Sequence, residues 1–454
     1  MTTVSIAQLI ERSKLAQKQF ANASQEQVDE AVRIVAKTVF DNAEILAKLA
    51  VEETGMGVYE HKVTKNMGKA RIIWNSLKGK KSVGVIEEDS ENGIIKVAKP
   101  MGVIGAVTPC TNPIVTPMCN IMFALKGRNS IIIAPHPRAK KCAAYTIDLM
   151  NENLKGLGLP SNLIQTIEEP SVESTNELMK SVDVVVATGG MGMVKAAYSS
   201  GKPAYGVGAG NVQCILDRDA DFEEAVPKII TGRTFDNGII CSGEQMVIVH
   251  EDDYEKVMEE FRKNKAYVVE DETQKNQLRG TLFDENGVML RHAIGQNCNT
   301  VGKLVGIQIP EDTSVIVVPV DGKGREDVLC KEKMCPVIAV KKYSTLEEAL
   351  DIAEANLEYE GKGHSVAIHS HNVENLKIAA NRLPVSRLLV NQICATMNGG
   401  SFVNGLAATT TLGCGSWGNN SISENLDYKH FMNITRIAMV IPGKTQPSDE
   451  EIWG

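Results

Sequence analysis

Cysteine 241 is the residue whose type and setting most readily suggest chemistry. Phe235-Asp-Asn-Gly-Ile-Ile-Cys-Ser-Gly-Glu-Gln245 puts Cys241 in a polar, glycine-flanked loop ahead of the strand-like Met246–Val249. Loops held by a rigid scaffold are where nucleophiles sit, and a thiolate is the strongest side-chain nucleophile near neutral pH. The competing reading is a small buried hydrophobe, since Cys241 is one of ten cysteines. Thr188-Gly-Gly-Met-Gly192 follows the apolar run Val182–Ala187 and leads into a helical pattern at Met193–Tyr198. Strand, glycine turn and helix start let bare amides and the helix dipole approach a phosphate, although glycines also serve such turns for steric reasons alone. Gly206-Val-Gly-Ala-Gly210 precedes a strand instead of a helix. It is therefore no dinucleotide fingerprint, and its glycines permit close packing or unusual dihedrals under a ligand. Cys330 and Cys335 fit no metal-ligand spacing, and His369-Ser-His371 reads as two surface histidines in a helix-start loop. No structural metal and mostly reduced thiols are expected.

Residues of this kind need elements to hold them. Val103–Val107, Ser130–Ala134, Leu163–Ile167, Val182–Ala187 and Val212–Leu216 are short β-branched runs, mostly separated by helix-length segments such as Pro113–Lys126 and Lys140–Leu154. That alternation predicts a parallel sheet covered on both faces, with ligands at the carboxyl ends of its strands. Val247–Val249, Ser314–Val318, Val337–Val340, Val366–His369 and Leu388–Asn391 predict a second α/β lobe. Ser82–Glu88 and Ile94–Ala98 flank Asn92-Gly93 as a hairpin whose edges need a partner, and the strand-like Met432–Ile441 can return to it. Ser24-Gln-Glu-Gln27 is a capping box opening an amphipathic helix through Val28, Val32, Val35 and Val39.

Composition narrows the partners. A chain of 454 residues has room for two or three domains, and its 43% hydrophobic and 23% charged residues exclude wholesale disorder. Lys and Arg number 48 against 56 Asp and Glu, a formal charge of −8 that argues against nucleic acid as the partner. The first thirty residues hold no apolar stretch of signal-sequence length, and no run reaches membrane-spanning length, so a cytoplasmic protein without membrane contact is expected.

Six segments, taken in order, resemble the aldehyde dehydrogenase superfamily from end to end. They are Lys99-Pro-Met-Gly-Val-Ile-Gly105, Thr108-Pro-Cys-Thr-Asn112, Ala187-Thr-Gly-Gly190, Asn237-Gly-Ile-Ile-Cys241, Lys331-Glu-Lys-Met-Cys-Pro336 and Thr411-Leu-Gly-Cys-Gly-Ser-Trp-Gly418. The last, with Gly206–Asn211, resembles the CoA-acylating branch, and the wording from Pro117 to Asn120, Ala134 to Pro137 and Glu450 to Gly454 is similar to members acting on succinate semialdehyde.

The resemblance implies an α/β fold in three parts. Residues 1–81 and 100–216 would form a Rossmann-like cofactor-binding domain, 217–415 an α/β catalytic domain, and 82–99 with 430–454 a β-ribbon oligomerisation element of a dimer or dimer of dimers. It also implies Cys241 as nucleophile and Asn112 as oxyanion donor. Thr108, Pro109, His136, Pro137, Arg138, Thr188, Gly189, Gly190, Glu332 and Pro336 would line the cofactor, and Thr116, Ser242 and Gly413 the substrate or CoA. Hydrolysing relatives carry a carboxylate that primes water in the segment matching Tyr205–Asn211. Here 199–216 contains no Asp or Glu, and Val207 stands at that position. The acyl group should then pass to the thiol of CoA, with His364 either handling its proton, since an imidazole titrates near neutrality, or merely satisfied in its loop. Arg387 is left unassigned.

NADP is expected over NAD, because Pro137 stands where NAD-preferring relatives often place a Glu, and Arg138, Lys140 and Lys141 follow. Acylating oxidation of acetaldehyde or propionaldehyde is the alternative activity. A hydrolysing dehydrogenase and a nucleotide-binding scaffold without turnover are the more distant ones.

Overall fold

The computed structural model describes residues 4–454. Four helices lead, α1 (Ile6–Phe20), α2 (Gln25–Asp41), α3 (Ala43–Thr54) and α4 (Tyr59–Leu77). The capping box at Ser24 and Gln27 forms as the sequence predicts and starts α2, which buries Val28, Val32, Val35 and Val39. A hairpin follows, β1 (Gly84–Asp89) and β2 (Ile94–Pro100).

The chain then alternates through β3 (Val103–Thr108), α5 (Val115–Lys126), β4 (Ser130–Pro135), α6 (Lys140–Leu154), β5 (Ile164–Thr166), α7 (Val172–Ser181), β6 (Val184–Thr188), α8 (Met191–Tyr198) and β7 (Ala204–Val207). Its five strands form one parallel sheet in the order β5-β4-β3-β6-β7. Successive side chains point to opposite faces, and both faces are covered. Ile104, Ala106, Ile131, Ile133, Val184 and Val186 pack under α2, α5 and α6, while Val103, Ile132, Val185 and Ala187 pack with α1 and α7. Each such buried Val or Ile contributes about 1.5–3 kcal/mol.

The second sheet has seven parallel strands. They are β8 (Val212–Leu216), β9 (Glu244–His250), β10 (Tyr267–Val268), β11 (Ile316–Pro319), β12 (Val337–Tyr343), β13 (Gly363–His369) and β14 (Val385–Val390), in the order β10-β11-β12-β9-β8-β13-β14. The helix α9 (Phe222–Thr234) runs between β8 and the Cys241 loop. Strand β8, expected in the first lobe, pairs instead with β9 and β13, so the sheets change over at the glycine segment 208–211. Strand β15 (Met432–Ala438) returns antiparallel to β2, with Thr435 opposite Val97, and completes a ribbon whose outer edges are β1 and β15.

His369 corrects the expectation of a surface pair: it closes β13 and is buried, and only His371 is exposed. All ten thiols are unpaired. Among the described residues no helix is long and apolar enough to cross a membrane.

Candidate active site

Cys241 lies on the turn between a short helical segment, Phe235–Gly238, and β9. The approach to it is strained, because Asp236 and Asn237 both take left-handed φ values of 54°. Asn237 Nδ2 donates to Gly295 O at 2.9 Å and Asp236 N donates to His61 Nδ1 at 2.9 Å, which fix the turn from two sides. Cys241 packs against Val207, Leu412 and Cys414. Burial, then the carboxyl of Glu332 and the thiol of Cys414, push its thiol up to about 12, against the opposing pull of Arg387. Val207, which stands where hydrolysing relatives carry their base, thus forms an apolar wall beside the sulfur.

One cavity of about 200 Å³ opens on Cys241, walled by Asn112, Phe235, Ile240, Ser242, Thr410, Leu412 and the α4 residues Thr64, Lys65, Gly68, Lys69 and Ile72. The two lysines were not found from sequence. Lys65 Nζ donates to Asp236 Oδ2 at 2.7 Å and to Asn112 Oδ1 at 2.8 Å, with Thr111 O a weaker third partner at 3.5 Å. Lys69 Nζ donates to Gly399 O at 3.0 Å and Thr409 O at 3.3 Å. An ammonium has three N–H groups, so one on Lys69 has no protein partner. Lys69 is half-buried and lines the cavity; burial lowers its pKa to about 8. Gly399 is required there, since a Cβ would lie 2.5 Å from the backbone Thr409 O and 2.7 Å from the ammonium.

Other expected substrate residues are placed differently. Ser242 reaches the cavity, but its hydroxyl donates to Ala395 O at 3.1 Å, so toward a ligand it acts only as an acceptor. Thr116 is buried inside α5, where its amide closes on Asn112 O, and it does not line the cavity. A Cβ on Gly413 would strike Glu424 O and Ile422 O, each at 2.6 Å; its bareness serves packing, not a ligand.

His364 is buried, with Nδ1 3.1 Å from Ser365 Oγ and Nε2 without a partner. Burial and then Arg387 lower its pKa to about 3, which corrects the expectation of an imidazole titrating near neutrality: the ring is neutral at physiological pH. Its Cε1 and Cys241 O both close on Gly210, where a Cβ would lie 3.4 Å and 1.8 Å from them. Arg387 donates to His364 O, Ser365 Oγ and Asn425 Oδ1, so it braces the site, and it lines neither this cavity nor its neighbour. Burial and then Glu360 push Glu332 up to about 8, leaving it protonated and a poor base at neutral pH. A second cavity of about 280 Å³, lined by Met191, Gly208, Ala209, Glu360, Lys362, Cys414 and Trp417, lies on the other side of the Cys414 wall.

The carboxyl edge of the first sheet carries the expected cofactor residues on three adjacent strands. Thr108 and Pro109 end β3, His136, Pro137 and Arg138 follow β4, and Thr188, Gly189 and Gly190 end β6. The edge fits a dinucleotide. Thr188 Oγ1 is buried without a partner, and the space a Cβ of Gly190 would take is empty ahead of α8. Pro336 enters β12, its carbonyl taken by Ile316 N at 2.9 Å.

The cations after β4 are partly committed. Arg138 Nη2 donates to Thr54 O at 2.8 Å, and Lys140 pairs with Glu169. A carboxylate nonetheless reaches this turn from elsewhere in the chain. Glu53, from α3, accepts from Lys141 N and Cys142 N at 2.8 and 2.7 Å, on the first amides of α6.

On this two-sheet scaffold, with Cys241 and Asn112 lining one cavity, the chain belongs to the aldehyde dehydrogenase family, whose model matches residues 1–430. The chain is 56% identical, over 99% of both chains, to succinate-semialdehyde dehydrogenase (acetylating) of Clostridium kluyveri. It is 43% identical to sulfoacetaldehyde dehydrogenase of Acholeplasma sp, over 99% of this chain and 93% of that one. A solved propionaldehyde dehydrogenase of Rhodopseudomonas palustris, with bound CoA and an acylated cysteine, superposes with a TM-score of 0.87 at 30% identity, covering 97% of this chain and 98% of that one.

Proposed function

We propose that the protein interconverts succinate semialdehyde, CoA and NAD(P)+ with succinyl-CoA and NAD(P)H, as a cytoplasmic homo-oligomer joined through the β1-β2-β15 ribbon. One cavity holding a nucleophile at Cys241 and an ammonium with an N–H to spare at Lys69 carries this reading. The aldehyde carbon lies at the sulfur, and the far carboxylate accepts hydrogen bonds from the spare Lys69 N–H and the unpartnered Thr410 hydroxyl.

Cys241 attacks the aldehyde carbon as the thiolate, its proton first lost to solvent; burial pushes the thiol up to about 12, so only a small fraction is ionised at neutral pH. The new oxyanion accepts from Asn112 Nδ2 and the Cys241 backbone N–H. A bound nicotinamide cofactor supplies the hydride acceptor. The thioester left on Cys241 faces Val207 and Leu412, and Glu332 is protonated, so no side chain beside it readily primes water. CoA enters as its thiolate, its proton left to solvent, and takes the acyl group; His364, neutral and weakly basic, would only hydrogen-bond the incoming sulfur through its unpartnered Nε2. NADP is the preferred cofactor through Arg138, Lys140 and Lys141. Glu53, on the first amides of α6, would add negative charge beside those cations and make that preference smaller than the turn alone implies.

An anaerobic assay of succinyl-CoA reduction with NADPH and with NADH, set beside acetyl-CoA, tests the whole. Succinyl-CoA is expected to give the larger kcat/KM, and aldehyde with oxidised cofactor to leave an acyl adduct on the Cys241 peptide by intact mass. A larger kcat/KM for acetyl-CoA would overturn the substrate, and rapid acid formation without CoA would overturn the acyl transfer.

A further inference from the structure

The catalytic amide of Asn112 is held by a charge cluster that has no place in the chemistry just described. Asp236 is enclosed and takes Lys62 Nζ at 2.9 Å, Lys65 Nζ at 2.7 Å and Val58 N at 2.8 Å. Gly57 makes room for it, since a Cβ there would lie 2.1 Å from Asp236 Oδ1. Two buried ammonium groups on one carboxylate leave a net positive charge beside the cavity. Packing alone gives no reason for it, because burying charge is unfavourable unless each charge is satisfied.

The geometry points to Lys65 as a positioning residue that locks the Asn112 amide for oxyanion binding. An ammonium only donates, so its 2.8 Å contact can be made only to the amide oxygen of Asn112. That contact fixes which end of the planar amide is which. Oδ1 is tied back to α4, and Nδ2 is the end left for the cavity. Without Lys65 the amide can flip, and a carbonyl oxygen turned toward a developing oxyanion repels it. Lys65 is itself held by Asp236, whose left-handed backbone lies five residues before Cys241 in the chain, so one carboxylate ties the oxyanion donor to the nucleophile loop. The cluster's net positive charge favours the same oxyanion.

This inference deepens the proposed mechanism and rests on Asn112 as donor, but not on the identity of the aldehyde. A double-mutant cycle tests it, reading the single-turnover rate of cofactor reduction with whichever aldehyde the parent oxidises fastest. Asn112→Ala is expected to lose roughly 10²–10³-fold and Lys65→Met about 10–100-fold in that rate, with KM changed little. The double variant should match Asn112→Ala to within about threefold, because Lys65 acts through the amide it holds. Lys65→Arg, which can still reach both partners, should recover most of the rate.

Asp236 keeps Lys62 and the Val58 amide in Lys65→Met, so that variant is expected to fold. If it does not, Lys65→Gln, shorter and neutral, carries the same cycle. Losses that multiply in the double variant would overturn the inference, as would a Lys65 effect confined to KM for anionic aldehydes. A parent that fails on succinate semialdehyde but oxidises another aldehyde would overturn only the substrate assignment.

Discussion

Two groups of cations flank the catalytic centre, and they are opposites. Lys62, Lys65 and Lys69 stand on one face of α4 inside the protein; Arg138, Lys140 and Lys141 follow β4 near the surface. On α4 every N–H of Lys65 and Lys69 has a named partner or faces the cavity, Lys62 pairs with Asp236, and burial lowers the pKa of Lys62 and Lys69 to about 8. After β4 the Lys140–Glu169 pair stands largely in solvent, with Glu169 66% exposed. Charge enclosed by protein acts on one bond at a known direction, whereas charge in water is screened and acts diffusely. On the proposed mechanism, the first group would set what is bound and how it is held, and the second would only tilt a preference.

The largest expected difference between the groups is in stability. Asp236→Ala strips the counter-charge from two enclosed ammonium groups and is expected to lower unfolding stability by about 3–5 kcal/mol. Lys140→Ala, breaking an exposed pair, should change it by no more than about 1 kcal/mol. Denaturant midpoints for the two variants measure this. Equal shifts would remove the distinction between the groups.

Lys69 comes next. Lys69→Met should cut kcat/KM for succinate semialdehyde about 10–100-fold, the worth of a charge-assisted hydrogen bond, and leave butyraldehyde nearly unchanged. A pH series sharpens the point. The lowered pKa of about 8 belongs to the protein without substrate, where Lys65, Cys119 and Cys241 are its charged or titratable neighbours. An anionic aldehyde needs the protonated amine, so the ratio of kcat/KM for the charged over the uncharged aldehyde should stay level below about pH 8 and fall above it. Taking the ratio cancels the titration of Cys241. A flat ratio through pH 9 would remove Lys69 from the binding site.

How far these regions can be read without coordinates follows from the same contrast. The sheet strands are legible because β-branched runs bounded by glycine and polar turns state their own conformation, and α6 runs from Lys140 to Leu154 as its pattern predicts. Cys241 and Asn112 are legible because each sits in a local motif. Lys65 and Lys69 are not, because their partners lie far along the chain: Asp236 for the one, Gly399 and Thr409 for the other. The available signal is the helical spacing of Lys62, Lys65 and Lys69, a cationic stripe on a helix whose buried residues, Asn66, Ala70 and Ile73, run along the same side. Strand β8 was assigned to the wrong sheet for a related reason, since an apolar run names a strand but not its neighbours. Glu53 shows the limit again, as a carboxylate supplied to the β4 turn from a helix that ends more than eighty residues earlier.

The smallest effect is expected at Glu53. Its carboxylate satisfies two of the first amides of α6, which a 2′-phosphate would otherwise be able to use, and adds negative charge beside them. Glu53→Gln keeps one acceptor for those amides and removes the charge. The preference for NADP over NAD, as a ratio of kcat/KM values, should rise by about threefold, the scale of one partly screened charge at a helix start. The same substitution should leave the ratio of succinate semialdehyde to butyraldehyde unchanged, because Lys69 lies in a separate cavity that Glu53 does not line. If Glu53→Gln moved the aldehyde ratio as well, the two cation groups would be coupled through α3 and α4, and the separation drawn between them would fail.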